Sequence, residues 1–530
     1  MFEELGMFVR FARELRGFLG TQLNESDCLR LVRDHLDNRR DRFLDILRFG
    51  VFQNPQSPYR RLLEHAGLAL SDVTAMVDRS GIEGALEELY ERGVYLTLDE
   101  FKTRTPIRRA GLEFTIRPCD LDNSLIAGHY ESKTGGSRGT RTRLLIDLDL
   151  LAHEAAHTFL LYSEFGLTGR PAAIWRELPP EIVGLKTFLR HAKLGRPIAK
   201  WFNHRKRISH PEDLKFYLFT LATRCLARMY GSPMPPFENV ALSDVRRVAQ
   251  WLADMKRQGS PALLDTNPST GVRVCLAAKE NNWDIAGTFF RFSAEPYTDA
   301  RARIVHEAGC RAASHYSASE AGHIGLACGD AQGVDEVHIM ADKVGVIQRH
   351  KEVGQSGCSV GSLLITTVSP SCPKMMLNVE LGDYGILEHR RCGCLLDELG
   401  LHLHLRQIRS FEKLNSEGMT FLGTHVISLL EEVLPERYGG SPLDYQLLED
   451  EEENGLPKVS LVISPEIPDI NEQAVVDTVL EQLSSQGPSG IMMTDVWRNL
   501  QTLRIIRHKP YSTRALKLLP LHILGASRGK

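Results

Sequence analysis

The chain has 530 residues, too many for one hydrophobic core, so two or three domains are expected. Its 42% hydrophobic and 25% charged residues are ordinary for a soluble globular protein, and a net charge of −3 gives no basis for nucleic acid as a partner. No apolar run approaches a membrane span and ten scattered cysteines are not a secreted disulfide framework, so a cytoplasmic protein with no membrane association is expected.

Residues 1 to about 105 read as mainly helical, because Leu29, Leu31, Val32, Leu36, Phe43, Leu44, Ile46 and Leu47 recur at helical spacing between charged residues. The N-terminus is acidic and amphipathic, unlike a signal peptide. The turn Asn54-Pro55-Gln56-Ser57-Pro58 then introduces Tyr59-Arg60-Arg61-Leu62-Leu63-Glu64-His65-Ala66-Gly67. Next comes Ser132 to Arg143, which holds Gly135, Gly136, Ser137 and Gly139 among hydroxyl and basic side chains. Glycines let backbone N–H groups approach an anion, and flanking hydroxyls and guanidinium groups suit phosphate oxygens. No Gly-Lys-Ser/Thr closes the loop, so it is not a Walker A motif, and a basic surface loop is the competing reading.

His153-Glu154-Ala155-Ala156-His157 follows, on a helix starting near Asp149. This H-E-x-x-H would place both histidines on one face, as a zinc metalloprotease requires. No third ligand is evident after it, and a partly exposed amphipathic helix is the preferred reading. From 160 to 300, helical segments alternate with short apolar runs, as in an α/β layer. Trp201 to Arg207 reads as a solvated turn, Phe289 to Pro296 as a strand ending in a turn, and Asp299 to Ala313 as a helix. Beyond residue 413, a helix over Val426 to Leu434, a hairpin of Asp444 to Leu448 with Val459 to Ile463, and a helix over Ala474 to Leu483 suggest a small separate α/β domain. The acidic run Glu449 to Gly455 between those strands reads as a solvated turn.

Tyr316-Ser317-Ala318-Ser319-Glu320, Leu381-Gly382-Asp383-Tyr384-Gly385 and Lys509-Pro510-Tyr511-Ser512-Thr513-Arg514-Ala515-Leu516-Lys517 complete the pattern. In this order the motifs resemble those of the adenylate-forming ligases, the acyl-CoA synthetase, adenylation-domain and luciferase superfamily. The Ser57 to Gly67 stretch is similar to one in the phenylacetate–CoA ligase branch. The resemblance implies a large ATP- and acid-binding domain, 1–412, and a small mobile C-terminal domain, 413–530, that rotates about a hinge near Lys413. It implies that the Gly135–Gly139 loop cradles phosphates and that the segment at Glu295 lines the adenine pocket. Tyr316 would stack on adenine, Ser319 contact the α-phosphate, Glu320 help hold Mg²⁺, and Asp383 bind the ribose hydroxyls. Arg409 is the candidate for the family arginine, although an ungapped alignment puts Phe411 there, and Lys517 takes the position of the catalytic lysine. Serine, alanine and leucine replace family glycines at 293, 294, 317 and 516.

Cys328, His338, Cys392 and Cys394 offer three thiolates and an imidazole, a closed tetrahedral zinc set. C-x-C alone is less diagnostic than paired C-x-x-C. Several members of the phenylacetate–CoA ligase branch look alike here, which implies one structural Zn²⁺.

The expected function is therefore ATP-dependent activation of a small-molecule carboxylic acid as its acyl-adenylate. The acyl group then passes to a thiol, of CoA or a carrier protein, or to an amine. The acid's pocket is expected around Asp265 to Val272 and Trp283 to Phe292, where no side chain reads out a substrate. Two alternatives remain at this stage: a degenerate, non-catalytic nucleotide-binding member, and a zinc protease using His153 and His157.

Overall fold

In the computed structural model, residues 2–128, 130–133, 143–179, 181–204, 211–353, 358–410, 415–416, 419–420, 423–451, 457–468, 470–484, 503–513 and 515–523 are described. Six α-helical segments fall between Phe2 and Phe101. The helix Glu25–Asp37 opens with a reciprocal capping box, in which Asn24 Oδ1 accepts from Asp27 N and Asn24 N donates to Asp27 Oδ2. The apolar stripe read from the sequence is largely buried: Phe43, Leu44, Ile46, Leu47, Tyr59, Leu62 and Leu63 share one core with Val344, Val346, Leu363 and Ile365.

The strands in chain order are β1 Ile107–Arg109, β2 Leu112–Phe114, β3 Tyr130–Lys133, β4 Arg143–Ile146, β5 Ala172–Trp175, β6 Ile198–Asn203, β7 Phe237–Asn239, β8 Leu263–Thr266, β9 Phe289–Phe292, β10 Arg311–Ala318 and β11 Gly322–Leu326. They continue as β12 Val337–Ile339, β13 Val344–Val353, β14 Cys358–Thr367, β15 Val379–His389, β16 Leu403–Ser410, β17 Asn415–Ser416, β18 Met419–Thr420, β19 Tyr445–Glu451, β20 Pro457–Ile463, β21 Arg504–Arg507 and β22 Leu521–Ile523.

Twelve strands form one sheet in the order β13-β14-β15-β16-β12-β11-β10-β9-β8-β5-β6-β7. From β10 to β7 every pairing is parallel, and from β10 to β13 every pairing is antiparallel. The parallel half follows from its sequences: β5, β8 and β9 are short runs buried at every residue, as strands covered by helices on both faces must be. β15 instead is part-exposed or exposed at every residue from Asp383 to His389, which suits a half-solvated antiparallel strand. β10 is therefore where the sheet changes character.

A separate four-stranded sheet, β21-β20-β19-β22, carries its own core of Val426, Leu447, Leu461, Val475, Val479 and Leu521. The β19–β20 hairpin and the helix Glu472–Ser484 match the sequence expectation. Lys413 lies outside the described residues.

Three local expectations are corrected. The helix expected over Asp299 to Ala313 ends at Glu307; Gly309 takes φ +68°, the chain turns, and Ala313 lies within β10. Trp201 and Phe202 are not in a solvated turn but fully buried on β6, while Arg205–Arg207 lie outside the described residues. In the acidic run, Glu449, Asp450 and Glu451 belong to β19, and 452–456 lie outside the described residues.

Candidate functional site

The carboxyl ends of the parallel strands open onto a cavity of about 220 Å³. Arg176 follows β5, Asn267 follows β8, Ser293 follows β9, Ser317 lies near the end of β10 and Ser319 follows it; all five line it. Ligands of open α/β sheets bind at this end, where the backbone carries loops rather than ladder hydrogen bonds. The β10–β11 register shifts between Tyr316 and Ser317, a bulge that redirects the side chains that follow. The antiparallel pair β3–β4 brings Leu144 and Ile146 to the same cavity. Gly135, Gly136, Ser137 and Gly139, between these two strands, lie outside the described residues.

A second cavity, of about 130 Å³, is lined by Glu295, Tyr316, Asp335, Asp383, Ile408 and Arg409, among others. Four residues proposed from sequence thus meet at one place. Tyr316 donates its hydroxyl to Asp383 Oδ2 at 2.8 Å, and burial together with that carboxylate keeps the phenol protonated far above its ordinary range. Arg409 donates to Asp335 Oδ2 at 2.6 Å and sits opposite Tyr384 in the β15–β16 ladder, one residue from Asp383. Phe411, the other candidate for that position, lies outside the described residues.

Glu295 is fixed rather than free. Its carboxylate accepts from Ser269 N at 3.0 Å, Ser269 Oγ at 2.8 Å, Arg301 Nη1 at 3.0 Å and Leu518 N at 3.0 Å. The last of these comes from the segment that carries Lys517. Asn267 Nδ2 also donates to Ala515 O at 2.8 Å, so the segments that follow β8 and β9 hold 515–518 in place. Lys517 lines the larger cavity in consequence. Ala294 and Leu516, which stand at glycine positions of the resemblance, have φ +74° and +57°. The left-handed backbone is kept without the glycine, at a cost of about 1–2 kcal/mol each.

Glu320 has turned elsewhere. It is 6% exposed and paired with Lys102 Nζ at 2.9 Å, and it does not line either cavity, whereas Ser319 lines the larger one. Of the segments expected to build the acid's pocket, Asn267 and Thr270 line the cavity, while Trp283 packs against another core.

The floor of the larger cavity is a charged network that sequence reasoning missed. Glu154 is fully buried and faces Arg190 at 3.0 Å, Lys343 at 3.1 Å and Lys186 at 3.6 Å. Burial alone would raise its pKa, but Lys186, Lys343, His323 and Arg190 together hold it well below the carboxylate range. Asp265, equally buried, is held down in the same way by Arg176 at 2.8 Å and Arg291 at 2.7 Å. The signal available in the sequence was charge inside apolar surroundings: Lys186 and Arg190 on the helix Val183–Lys193, and Arg291 within Phe289–Phe292.

The helix Leu148–Glu164 that carries His153 and His157 is not partly exposed as expected; thirteen of its residues are buried, both histidines included. His153 Nε2 and His157 Nε2 lie 2.6 and 2.7 Å from Asp342 Oδ2. These are hydrogen-bond lengths, whereas tetrahedral zinc would hold N and O about 3.4 Å apart. Glu154, the base a protease would need, is locked in its ion pairs, and burial leaves a peptide no access.

Burial also depresses the pKa of His153 to about 3, of His191 to about 3 and of His35 to about 4. Such groups protonate in the unfolded chain before they do in the folded one, so stability falls as pH drops below about 6.5. Each histidine contributes up to roughly 1.4 kcal/mol of loss per pH unit until its folded pKa is reached. Thermal melts from about pH 7 to about pH 5 should show a steep decline that a His191→Gln variant shows less of; a flat profile would count against buried neutral histidines.

The zinc candidates behave differently. Cys328, His338, Cys392 and Cys394 converge with all four ligand atoms within 4.8 Å of one another. His338 Nε2 lies 3.3 Å from Cys394 Sγ and 3.6 Å from Cys392 Sγ, against an N···S edge of about 3.6 Å in tetrahedral zinc. His338 Nδ1 donates to Leu401 O at 2.6 Å, the outer hydrogen bond that orients a ligating imidazole. Hydrogen bonds from Cys328 and His338 hold Cys394 below the ordinary thiol range.

No family model matches the sequence, and no curated protein does. Among solved structures, a 2-hydroxyisobutyryl-CoA ligase in the postadenylation state, in complex with R3-HIB-AMP, is similar with a TM-score of 0.54 at 14% identity, covering 92% of this chain and 88% of that one. This chain has the adenylate-forming ligase fold. The same ligase in its thioesterification state, in complex with 2-HIB-AMP and CoA, has a TM-score of 0.47 at 15% identity over 92% and 90% of the two chains. At 14% identity the likeness concerns the fold alone. As that fold has it, a large domain built on the twelve-stranded sheet is followed by a smaller C-terminal domain. No helix among the described residues is long and apolar enough to cross a membrane.

Proposed function

We propose that this protein is an ATP-dependent, AMP-forming acid ligase, close to the phenylacetate–CoA ligase branch, which makes an acyl-adenylate and passes its acyl group to a thiol. The observation that carries this reading is the convergence of Tyr316, Asp383 and Arg409 on one cavity beside a second one that Ser319 and Lys517 share. Adenosine would occupy the smaller cavity, and the α-phosphate and acid the larger. One carboxylate oxygen of the acid bonds to the α-phosphorus as the bond to the bridging oxygen breaks, and pyrophosphate leaves with the electron pair. The thiol sulfur then bonds to the acyl carbon, the thiol proton is lost, and AMP departs. CoA is the favoured acceptor because the similar solved structure is named a CoA ligase; a carrier protein or an amine would serve the same chemistry.

Positioning and charge neutralisation supply the catalysis. Lys517, held by the contacts of 515–518 with Asn267 and Glu295, brings an ammonium to the reacting groups. Mg²⁺ would neutralise the leaving pyrophosphate, but Glu320 is committed to Lys102 and does not fit the role of its ligand. Zn²⁺ fits Cys328, His338, Cys392 and Cys394, and with all four positions filled by protein it would be structural. The small domain, from about residue 413, would rotate between the two half-reactions.

Acid-dependent exchange of labelled pyrophosphate into ATP, over a panel of aryl, aliphatic and hydroxy acids, tests the reading. A non-catalytic nucleotide-binding protein, the alternative raised by the replaced glycines, would bind ATP yet exchange nothing with any acid. Asp383→Ala should raise the KM for ATP about 10- to 100-fold, since a charge-assisted hydrogen bond contributes about 1.5–3 kcal/mol. An unchanged KM would show that the ribose lies elsewhere.

A further inference from the structure

The floor of the larger cavity and the layer behind it hold more buried positive charge than the described carboxylates beside it balance. Arg176, Lys186 and Arg190 line it, Arg291 and Lys343 lie buried behind them, and among the described residues the ion pairs of these five run to two carboxylates, Glu154 and Asp265. Asp342, next in the chain to Lys343, is taken up by His153 and His157. Glu177 and Glu181 line the cavity as well, and both are part-exposed. A buried cation is costly unless it is paired and hydrogen-bonded.

Lys186 shows the deficit most clearly. It lines the cavity, and its partner is Glu154 at 3.6 Å, a carboxylate that Arg190 and Lys343 approach more closely. Burial lowers its pKa despite that carboxylate. Two histidines point the same way. His323 Nε2 accepts from Arg190 at 2.7 Å and from Arg291 at 3.2 Å, and His315 Nε2 accepts from Arg291 at 3.4 Å. Guanidinium groups only donate, so each neutral ring carries its proton on Nδ1. Both Nδ1 atoms are buried with no partner among the described residues, and both rings line the cavity. A hydrocarbon tail seated here would desolvate these groups further and satisfy none of them.

We propose that the acid this protein activates carries a second anionic group, a short dicarboxylate being the simplest member of the class, and that Lys186 and Arg190 receive that group. The inference rests on the acid-activating reading above. The cavity's 220 Å³ is below the roughly 300–1,000 Å³ of sites for drug-sized ligands, which limits the acid to a few carbons. Lys517 would attend the carboxylate that reacts, and the floor of the cavity the one that does not.

Pyrophosphate exchange with chain-matched pairs tests this: butanoate against butanedioate, pentanoate against pentanedioate, hexanoate against hexanedioate. One dicarboxylate should exceed its monocarboxylate partner in kcat/KM by about 10-fold or more, the size of one charge-assisted hydrogen bond. Lys186→Met should collapse that ratio toward one, and Lys186→Arg should restore part of it. A wild-type ratio at or below one for every pair overturns the proposal while leaving acid activation intact. A raised KM for ATP in Lys186→Met, with the ratio unchanged, assigns the cation to the polyphosphate and overturns it too. Exchange with no acid of any kind overturns the ligase reading itself, and this inference with it.

Discussion

Lys517→Ala is expected to lower acid-dependent pyrophosphate exchange by about 10²–10³-fold, the cost of losing one preorganised charge-stabilising donor. During adenylation, negative charge is shared between the attacking carboxylate and the α-phosphate. Lys517 comes from the smaller domain, and 515–518 reach the cavity through Asn267, Ser269 and Glu295 of the larger one. The ammonium would act only while that docking holds. Transfer of the acyl group to the thiol would use another domain orientation, so a chemically supplied acyl-adenylate should still be consumed at close to the normal rate. Exchange that survives in the variant would make Lys517 a surface lysine. Loss of both half-reactions, with an unchanged melting temperature, would show that the lysine serves both steps.

Removing zinc should have the largest effect on stability. Protein purified without chelator is expected to carry about one zinc per chain, and Cys392→Ser should carry less. Cys392 and Cys394 sit at the start of the short helix Leu395–Glu398, Cys328 follows β11, and His338 lies on β12. One ion would therefore tie a loop to two adjacent strands of the sheet. Because the folded state holds the metal more tightly than the unfolded chain, its binding free energy becomes folding free energy, on the order of several kcal/mol. At about 1–2 °C per kcal/mol for a domain of this size, the melting temperature should fall by roughly 5 °C. Zinc-free protein with an unaltered melting temperature would reduce the four residues to a hydrogen-bonded cluster.

Much of this was legible in the chain because it depends on local pattern. Helical periodicity marked the N-terminal region, the apolar run from Phe289 marked β9, and the β19–β20 hairpin stood out by its two apolar strands. Motif order brought Tyr316, Asp383, Arg409 and Lys517 into consideration, and they line two adjoining cavities.

What only the tertiary structure decided has a common physical cause: charge is read as surface in a sequence, and burial reverses its meaning. Glu154, Arg190, Asp265 and Arg291 are hydrophilic letters in the chain, yet each is buried against an opposite charge distant in sequence, and Lys186 is buried beside a carboxylate that other cations approach more closely. His153 and His157 carried a metal-binding spacing, and the side chain that meets them, Asp342, comes from 185 residues or more along the chain. Its distance from them, that of a hydrogen bond, depends on packing that no spacing encodes. Glu320 matched a motif position and was drawn away by Lys102. Local patterns specify which elements form, because they depend on neighbours along the chain; the partner of a buried charge is fixed only once the elements pack.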